Sequence, residues 1–224
     1  MGPVGAQVTV IGTLKGGVGK TRLAMMSALY LASRGRSVYV IDGDTVSQTA
    51  YDWQKDAKAA WLKAQREGKP TGPEWPITVV RHPFADIDEH IDSVSGSVDH
   101  VVADIGGGNP AVFEASLSRA HRLLVPVGAD PSETRKLPAT WKSAGNAVAS
   151  STVGGFAAYV VLSRTDRKTT LPKEAREQLA GEYPLCDTEL VRRVAYQRAY
   201  GQVPTDFLDV PELLAEVGLI GKVA

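Results

Sequence analysis

The sequence predicts an α/β fold: a mostly parallel, twisted sheet flanked by helices on both faces. Two observations carry that expectation. Short apolar, β-prone runs alternate along the whole chain with longer stretches of helical periodicity, the pattern of a parallel sheet with crossover helices. Most of those runs are continuous in apolar character, as strands covered on both faces must be. A third observation sets the scale. With 224 residues, 43% of them hydrophobic, the chain can bury one sizeable core, so a single domain over residues 1–224 is expected.

In chain order the strands are expected at Gln7–Gly12 (QVTVIG), Ser37–Asp42 (SVYVID), Ile77–His82 (ITVVRH), His100–Ile105 (HVVADI), Arg122–Val127 (RLLVPV) and Phe156–Ser163 (FAAYVVLS). A further short strand falls at Thr188–Arg193. Helical patterns occupy Thr21–Ser33, Thr49–Arg66, Asp86–Val94, Pro110–Ala120, Ser132–Ala149 and Pro172–Glu182. The stretch Arg66–Pro76 (REGKPTGPEWP) is rich in turn residues and too short and central to divide domains, so it reads as a surface loop. Trp53 and Trp61 share one face of the second helix, where core packing is the simpler expectation and a docking surface the sharper one.

Composition removes several function classes. Lys plus Arg and Asp plus Glu both number 25, which argues against a uniformly basic nucleic-acid binder while leaving room for a local basic face. The single cysteine, Cys186, forms no internal disulfide or thiolate cluster and fits a reducing cytosol. No apolar run reaches the ~18 residues of a membrane span. The N-terminus lacks the pattern of a signal peptide, and Ala6 stands where myristoylation needs Ser or Thr.

The chemistry concentrates in IGTLKGGVGKTRLA, Ile11 to Ala24, between the first strand and the first helix. A tight strand-to-helix turn needs one or two glycines and no Lys–Thr pair. Here Gly16, Gly17, Val18 and Gly19 precede Lys20 and Thr21. Glycines let backbone N–H groups close around phosphate oxygens, and the helix N-terminus adds its dipole. Lys20 is then expected at the β- and γ-phosphates, the Thr21 hydroxyl on Mg²⁺, and Arg22 among the nucleotide contacts. The fold class becomes a P-loop NTPase. A phosphate cradle needs only one lysine, so Lys15, just ahead of the glycines, asks for a separate role.

The run KGGVGKT resembles the deviant Walker A motif of the ParA/MinD family of ATPases, and the whole chain resembles the short, plasmid-type ParA branch. The resemblance implies that Lys15 reaches across a nucleotide-sandwich dimer to the partner's phosphates, the service an arginine finger gives elsewhere. VIDGDTVSQ resembles the family's first switch. It implies that Asp44 orients the attacking water and the Mg²⁺ shell while Asp42 supports the loop and metal. The family's Pro-Gln is Thr45-Val46 here, leaving Ser47 or Gln48 to take a polar role. VVADIGGG resembles the second switch, with Asp104 as the Walker B carboxylate on Mg²⁺ and Gly106, Gly107 and Gly108 as a flexible γ-phosphate sensor. Asn109 is equally a helix N-cap or a catalytic group. Near the base, Arg164 against the adenine ring, or Ser163 and Asp166 at its edge, are the alternatives.

The remaining segments, RLLVPVGADPSETRKL, VVLSRTDRKTTLPKEAREQL and VRRVAYQRAYGQVPTDF, are similar to later ParA segments, so the resemblance spans most of the chain. It implies a slow ATP hydrolase using Lys15, Lys20 and Asp44, a homodimer in the ATP state, nonspecific DNA binding, and resetting by a ParB-like centromere-binding protein. The expected location is the cytoplasm, on the nucleoid. No helix-turn-helix unit fits ahead of a first strand at Gln7, in keeping with the short ParA type. DNA contacts are expected from Arg167, Lys168, Arg192, Arg193 and Arg198, with a second basic tract at Arg119, Arg122, Arg135, Lys136 and Lys142. A MinD-like membrane-surface ATPase would need a basic amphipathic tail. The tail VPELLAEVGLIGKVA instead sets Glu212 and Glu216 against Lys222 and reads as an acidic helix packed on the body, so no membrane partner is expected. A metabolic P-loop ligase of the same superfamily lacks the early lysine, and a nitrogenase-reductase-like protein needs two cysteines per chain.

Overall fold

The computed structural model describes residues 5–221; the start of the chain through Val4, and Lys222 with the two residues after it, lie outside the described residues. Seven strands form one sheet: β1 (Gln7–Gly12), β2 (Val38–Asp42), β3 (Thr78–Arg81), β4 (His100–Ile105), β5 (Arg122–Gly128), β6 (Ala157–Thr165) and β7 (Leu190–Val191). Their order is β3-β2-β4-β1-β5-β6-β7, and every pairing is parallel. Chain direction across the sheet reverses at β1, whose neighbours are β4 and β5. In open α/β sheets that point, at the strands' carboxyl ends, is where ligands bind.

The helices are α1 (Lys20–Ser33), α2 (Thr49–Arg66), α3 (Ile87–Ser95), α4 (Pro110–Leu117), α5 (Pro131–Thr134), α6 (Leu137–Val148), α7 (Leu171–Leu179), α8 (Val194–Arg198) and α9 (Val210–Glu216). Strand side chains alternate between two cores, one on each face. Ile11, Val40, Val102 and Leu124 join α1, α2 and α9. Val10, Ile41, Ala103, Ile105 and Leu123 join α3, α4, α6 and α7. By the same alternation Asp42 and Asp104 point to the α1 face, and they sit opposite one another across β2 and β4.

Helix α1 is buried on most sides. Its N-cap, Gly19, offers no side-chain cap, so packing must hold it. Leu23, Met25, Met26, Leu29 and Leu31 are all essentially inaccessible, each worth about 1.5–3 kcal/mol. That exceeds the ~1 kcal/mol a good cap supplies, and it makes α1 a rigid platform for the loop before it.

The structure departs from expectation at several boundaries. The single helix expected over Ser132–Ala149 is two, α5 and α6, parted at Arg135–Lys136. Pro138 belongs in the first turn of a helix, where its missing N–H costs nothing, so a new helix starts just ahead of it. The short α5 is fixed by Asp130, whose carboxylate accepts the Ser132 N–H at 2.7 Å. The helix expected to reach Ala120 ends at Leu117, and that expected over Pro172–Glu182 spans Leu171–Leu179. The terminal strand shrinks to Leu190–Val191, leaving Arg192 and Arg193 beyond it.

The segment after Arg66 carries no helix or strand up to Thr78, although Trp75 inside it is buried. Trp53 is a core residue whose indole donates to the Gln202 carbonyl at 3.0 Å, while Trp61 is only half-buried. The acidic tail helix is packed on the body as expected. Leu213 and Leu214 are buried, and Glu216 accepts the N–H groups of Asp187 and Thr188. Among the described residues no helix is long and apolar enough to cross a membrane.

Candidate nucleotide-binding site

The loop between β1 and α1 turns tightly at the sheet's switch point. Gly17 and Gly19 have φ of 78° and 92°, the left-handed region that glycine enters without strain. Two side chains far away in sequence, Thr140 and Ser163, fix the loop's path. The Leu14 N–H donates to the Thr140 hydroxyl at 3.1 Å, Thr13 and Thr140 hydroxyls lie 3.2 Å apart, and the Ser163 hydroxyl donates to the Val18 carbonyl at 2.7 Å. Val18 itself is buried. The loop is therefore pre-shaped by α6 and β6.

Lys20 is buried, and its ammonium donates to the Lys15 carbonyl at 3.0 Å. Burial lowers its pKa, opposed by the charges of Asp104 and Asp44. Asp104 is 1% exposed, and neither carboxylate oxygen has a hydrogen-bond partner. Burial pushes its pKa up to about 7, against a nearby Thr21 hydroxyl and the Lys20 charge. Thr21 stands close without completing a hydrogen bond in this geometry.

Asp42 is also fully buried, but its carboxylate is occupied. It accepts the Asp44 N–H at 3.2 Å and the Tyr51 N–H at 2.9 Å, bracing the loop and the start of α2. Burial raises its pKa while those N–H groups lower it. Asp44 accepts from Val46 and Ser47 N–H at 2.8 and 3.0 Å. Burial opposes its ionisation, yet those two bonds, the Ser47 hydroxyl and the Lys20 charge together hold the carboxyl below its ordinary value. Ser47 thus contributes its backbone N–H to the loop, while Gln48 adopts φ 45° ahead of α2 and Val46 is 82% exposed.

Gly106 and Gly107 are required by close approach. A Cβ on Gly106 would lie 2.6 Å from the Asp44 carboxyl carbon, and one on Gly107 would lie 2.7 Å from the Leu14 backbone. The two switch segments and the phosphate loop are packed backbone to side chain. Asn109 takes the N-cap role, accepting from Ala111 and Val112 N–H.

Two cavities meet at Gly19, Arg22 and Arg164. One, of about 630 Å³, is lined by Gly16, Gly17, Lys20, Thr21, Asp44 and Gly107. The other, of about 450 Å³, is lined by Leu23, Ser163, Thr165, Asp166, Leu190 and Tyr196, among others. Arg22 spans the junction, and its buried Nε–H has no acceptor. A triphosphate in the first cavity and a base in the second match the sizes and chemistries present. Both alternatives for the base, Arg164 and the Ser163/Asp166 pair, line the second cavity; the Ser163 hydroxyl is already committed to Val18.

A divalent cation also fits the donor set. Among the described residues no group of three or more His, Cys, Asp or Glu is arranged to hold a metal by itself. The fully desolvated, unpartnered Asp104 beside the Thr21 hydroxyl offers what a cation arriving with phosphate oxygens would complete. Asp42 is placed as a brace rather than a free ligand.

The basic residues divide. Arg167, Lys168, Arg192 and Arg198 are exposed at the carboxyl edge of the sheet or just past it. Arg193 is committed to an ion pair with Asp209 at 2.7 Å, and both Arg192 and Arg193 line the base-side cavity rather than a separate face. In the second tract, Arg119 pairs with Asp92 and Asp88, and Arg122 donates to the Val217 and Gly218 carbonyls. These two brace the fold. Arg135, Lys136 and Lys142 remain exposed.

A parallel α/β sheet with a glycine-lysine-threonine loop at its switch point, a buried lysine and an unpartnered strand-end aspartate defines a P-loop nucleotide-binding protein. Residues 9–203 match the CobQ/CobB/MinD/ParA nucleotide binding domain, and the chain belongs to that family. No curated protein sequence matches it. Among solved structures, a cobyrinic acid a,c-diamide synthase from Mycobacterium smegmatis with bound ADP and magnesium is similar, with TM-score 0.70 and 15% identity over 94% of this chain and 95% of that one. McdA from Cyanothece, in its apo form, gives 0.67 and 16% over 94% of each chain. A plasmid partition protein from Borrelia burgdorferi gives 0.63 and 15% over 93% and 97%. At these identities the likeness establishes the fold.

Proposed function

We propose that this chain is a ParA-like ATPase, one deviant Walker A domain that dimerises around ATP and Mg²⁺, binds DNA without sequence preference in that state, and is released by slow hydrolysis stimulated by a ParB-like partner. The observation that carries the reading is Lys15. It stands on the loop mouth, 24% exposed, while Lys20 alone already fills the buried phosphate-facing position. A second lysine at the mouth serves a phosphate on another chain. Structures with bound ADP or ATP analogue and magnesium among the similar folds support the ligand assignment.

When bound, Mg²⁺ neutralises charge on the β- and γ-phosphates. Lys20 binds those phosphates, Thr21 and Asp104 hold the cation, and Asp44 orients water from its turn against Gly106. Arg22, with its free Nε–H at the junction of the two cavities, donates to the α-phosphate side.

Lys15→Gln is expected to bind nucleotide through the intact Gly16–Thr21 loop and fail to dimerise. Phosphate charges facing each other near 4 Å repel by about 1–4 kcal/mol per pair. Loss of the compensating lysine should therefore weaken the dimer roughly tenfold or more. Light scattering with a slowly hydrolysed ATP analogue reads this, and normal dimerisation would make Lys15 a solvated loop residue.

The function itself is tested on an arbitrary-sequence duplex with ATP, ADP and no nucleotide, beside liposomes. Binding is expected in ATP alone and should fall steeply with salt, because the contacts are Lys and Arg on phosphate. Asp44→Ala, which keeps the phosphate loop but loses the water-orienting carboxylate, should stay on DNA at least about tenfold longer. Equal binding in ATP and ADP sinks the switch. Liposome binding without DNA binding moves the assignment to a MinD-like surface ATPase. Similarity to the M. smegmatis synthase keeps a metabolic ligase as the second reading; nucleotide-dependent dimerisation through Lys15 separates the two.

A further inference from the structure

Thr140 is fully buried on the same face of α6 as Leu137, Ala144 and Ala147. A helical threonine commonly turns its hydroxyl back onto the preceding turn of its own helix. Here the hydroxyl accepts the Leu14 N–H at 3.1 Å and stands 3.2 Å from the Thr13 hydroxyl. Both partners lie just past Gly12, where the β1 ladder ends. No strand pairs with the backbone there, so α6 holds it. The second switch rests on this same stretch. A Cβ on Gly107 would lie 2.7 Å from the Leu14 carbonyl carbon, 2.8 Å from its oxygen and 3.0 Å from the Lys15 nitrogen. Gly107 therefore lies on the Leu14–Lys15 peptide itself. The flanks of the second switch are anchored. Ahead of it β4 is an inner strand. After it, α4 packs Phe113 on Gly12, where a Cβ would lie 2.7 Å from the ring, and Glu114 accepts the Ser143 hydroxyl of α6 at 2.7 Å. Between these anchors stand Gly106, Gly107 and Gly108, and glycine has the greatest backbone freedom.

We propose that Thr140 is a positioning residue for recognition of the γ-phosphate: it fixes the Leu14–Lys15 peptide as the wall against which Gly107 settles when a triphosphate is bound. The proposal rests on the nucleotide reading above. Lys20 and Thr21 open α1 and are held in place by the packing of that helix, so their hold on phosphate does not depend on Thr140. The wall has no such support. Without the Thr140 hydroxyl, the Leu14 N–H and the buried Thr13 hydroxyl lose their shared partner, and the peptide under Gly107 must shift to satisfy them. ADP has no γ-phosphate and makes no demand on the second switch. Thr140 therefore contributes to the preference for a triphosphate and not to nucleotide binding as such.

Thr140→Val keeps the shape of the side chain and removes the hydroxyl, while Thr140→Ser keeps the hydroxyl. Isothermal titration with Mg²⁺ measures the affinity of each for ADP and for a slowly hydrolysed ATP analogue. Thr140→Val should bind ADP within about threefold of the unsubstituted protein and lose about fivefold or more of its preference for the analogue, the effect of roughly one hydrogen bond. Thr140→Ser should keep that preference. A hydroxyl that only held the fold together would weaken both ligands alike. Gly107→Ala supplies the second arm. Its Cβ pushes the second switch off the wall, so it should lose the same preference. The double variant should lose no more than Gly107→Ala alone, because two residues acting through one contact are not additive. Should Thr140→Val not fold, Thr13→Val removes the same hydroxyl pair from the loop side and carries the same expectation. An unchanged preference in Thr140→Val, an equal loss for ADP and analogue, or multiplied losses in the double variant overturns the proposal. So does an unsubstituted protein that binds ADP and the analogue equally well, because the second switch would then sense nothing. Binding of neither ligand by the unsubstituted protein is the separate failure of the nucleotide reading, and the proposal falls with it.

Discussion

Lys20→Ala is expected to lose nucleotide binding by about thirty-fold to several thousand-fold, the 2–5 kcal/mol typical of truncating one partner of a buried charged pair. Lys20 is buried, within range of the Asp104 and Asp44 charges. Its ammonium donates to the Lys15 carbonyl, a neutral partner that a phosphate replaces at a gain, since hydrogen bonds between charged groups are roughly twice as strong. Nothing else in the loop brings a buried cation to that place; Lys15 points to Glu133 and Arg22 to the junction with the base-side cavity. The substitution also removes a charge that lowers the pKa of Asp104, so Asp104 should become harder to ionise and a worse cation ligand. Isothermal titration with ATP and Mg²⁺ measures the loss. Affinity within a few-fold of the unsubstituted protein would remove the phosphate-loop assignment.

The parts of this site that could be read from the sequence are those made by contiguous residues. Gly16 to Thr21 form a loop whose function follows from local geometry, and Asp42 and Asp104 end strands whose apolar runs are unmistakable. The parallel pairing follows from the same alternation of runs and helices, whereas the strand order does not, because alternation leaves open which neighbours each strand takes. What sequence did not reveal depends on partners distant along the chain. Asp42 and Asp104 look equivalent as strand-end carboxylates, yet one is saturated by Asp44 and Tyr51 N–H groups and the other has none. Arg119, Arg122 and Arg193 look like free surface cations until Asp88, Asp92, Asp209 and the carbonyls of α9's end come into contact with them. Thr140 was hidden on the inner face of a helix, where nothing local shows that its hydroxyl serves a loop 126 residues earlier. Pro138 is the one local signal that could have split the helix expected over Ser132–Ala149.

Asp104→Asn is expected to stabilise the nucleotide-free protein and, in the same variant, to abolish its Mg²⁺-dependent response. The sign follows from the proton balance. In the unfolded chain the carboxyl titrates near its ordinary value of 3.8; in the fold burial raises it to about 7. Between those values the folded state holds more protons than the unfolded one, so the stability of the nucleotide-free protein falls as pH rises from about 4 to about 7. Above that window the full cost of an ionised, unpartnered carboxylate is present; below it there is none. Asparagine carries no charge to desolvate, so the variant should gain on the order of 1–3 kcal/mol at pH 8 and nothing at pH 4. For a chain of this size that is a rise of roughly 2–10 °C in melting temperature at pH 8. The same desolvated carboxylate is what a divalent cation would satisfy, so adding Mg²⁺ with nucleotide should raise the melting temperature of the unsubstituted protein more at pH 8 than at pH 6, and should release protons near pH 6.5. Asp104→Asn should show neither the pH-dependent gain nor the proton release. Thermal melts at pH 4, 6 and 8, with and without Mg²⁺ and nucleotide, separate these outcomes. A variant less stable than the unsubstituted protein at pH 8 would mean that Asp104 is held ionised by partners within the fold, and the cation site would then have to be sought elsewhere along the sheet's carboxyl edge.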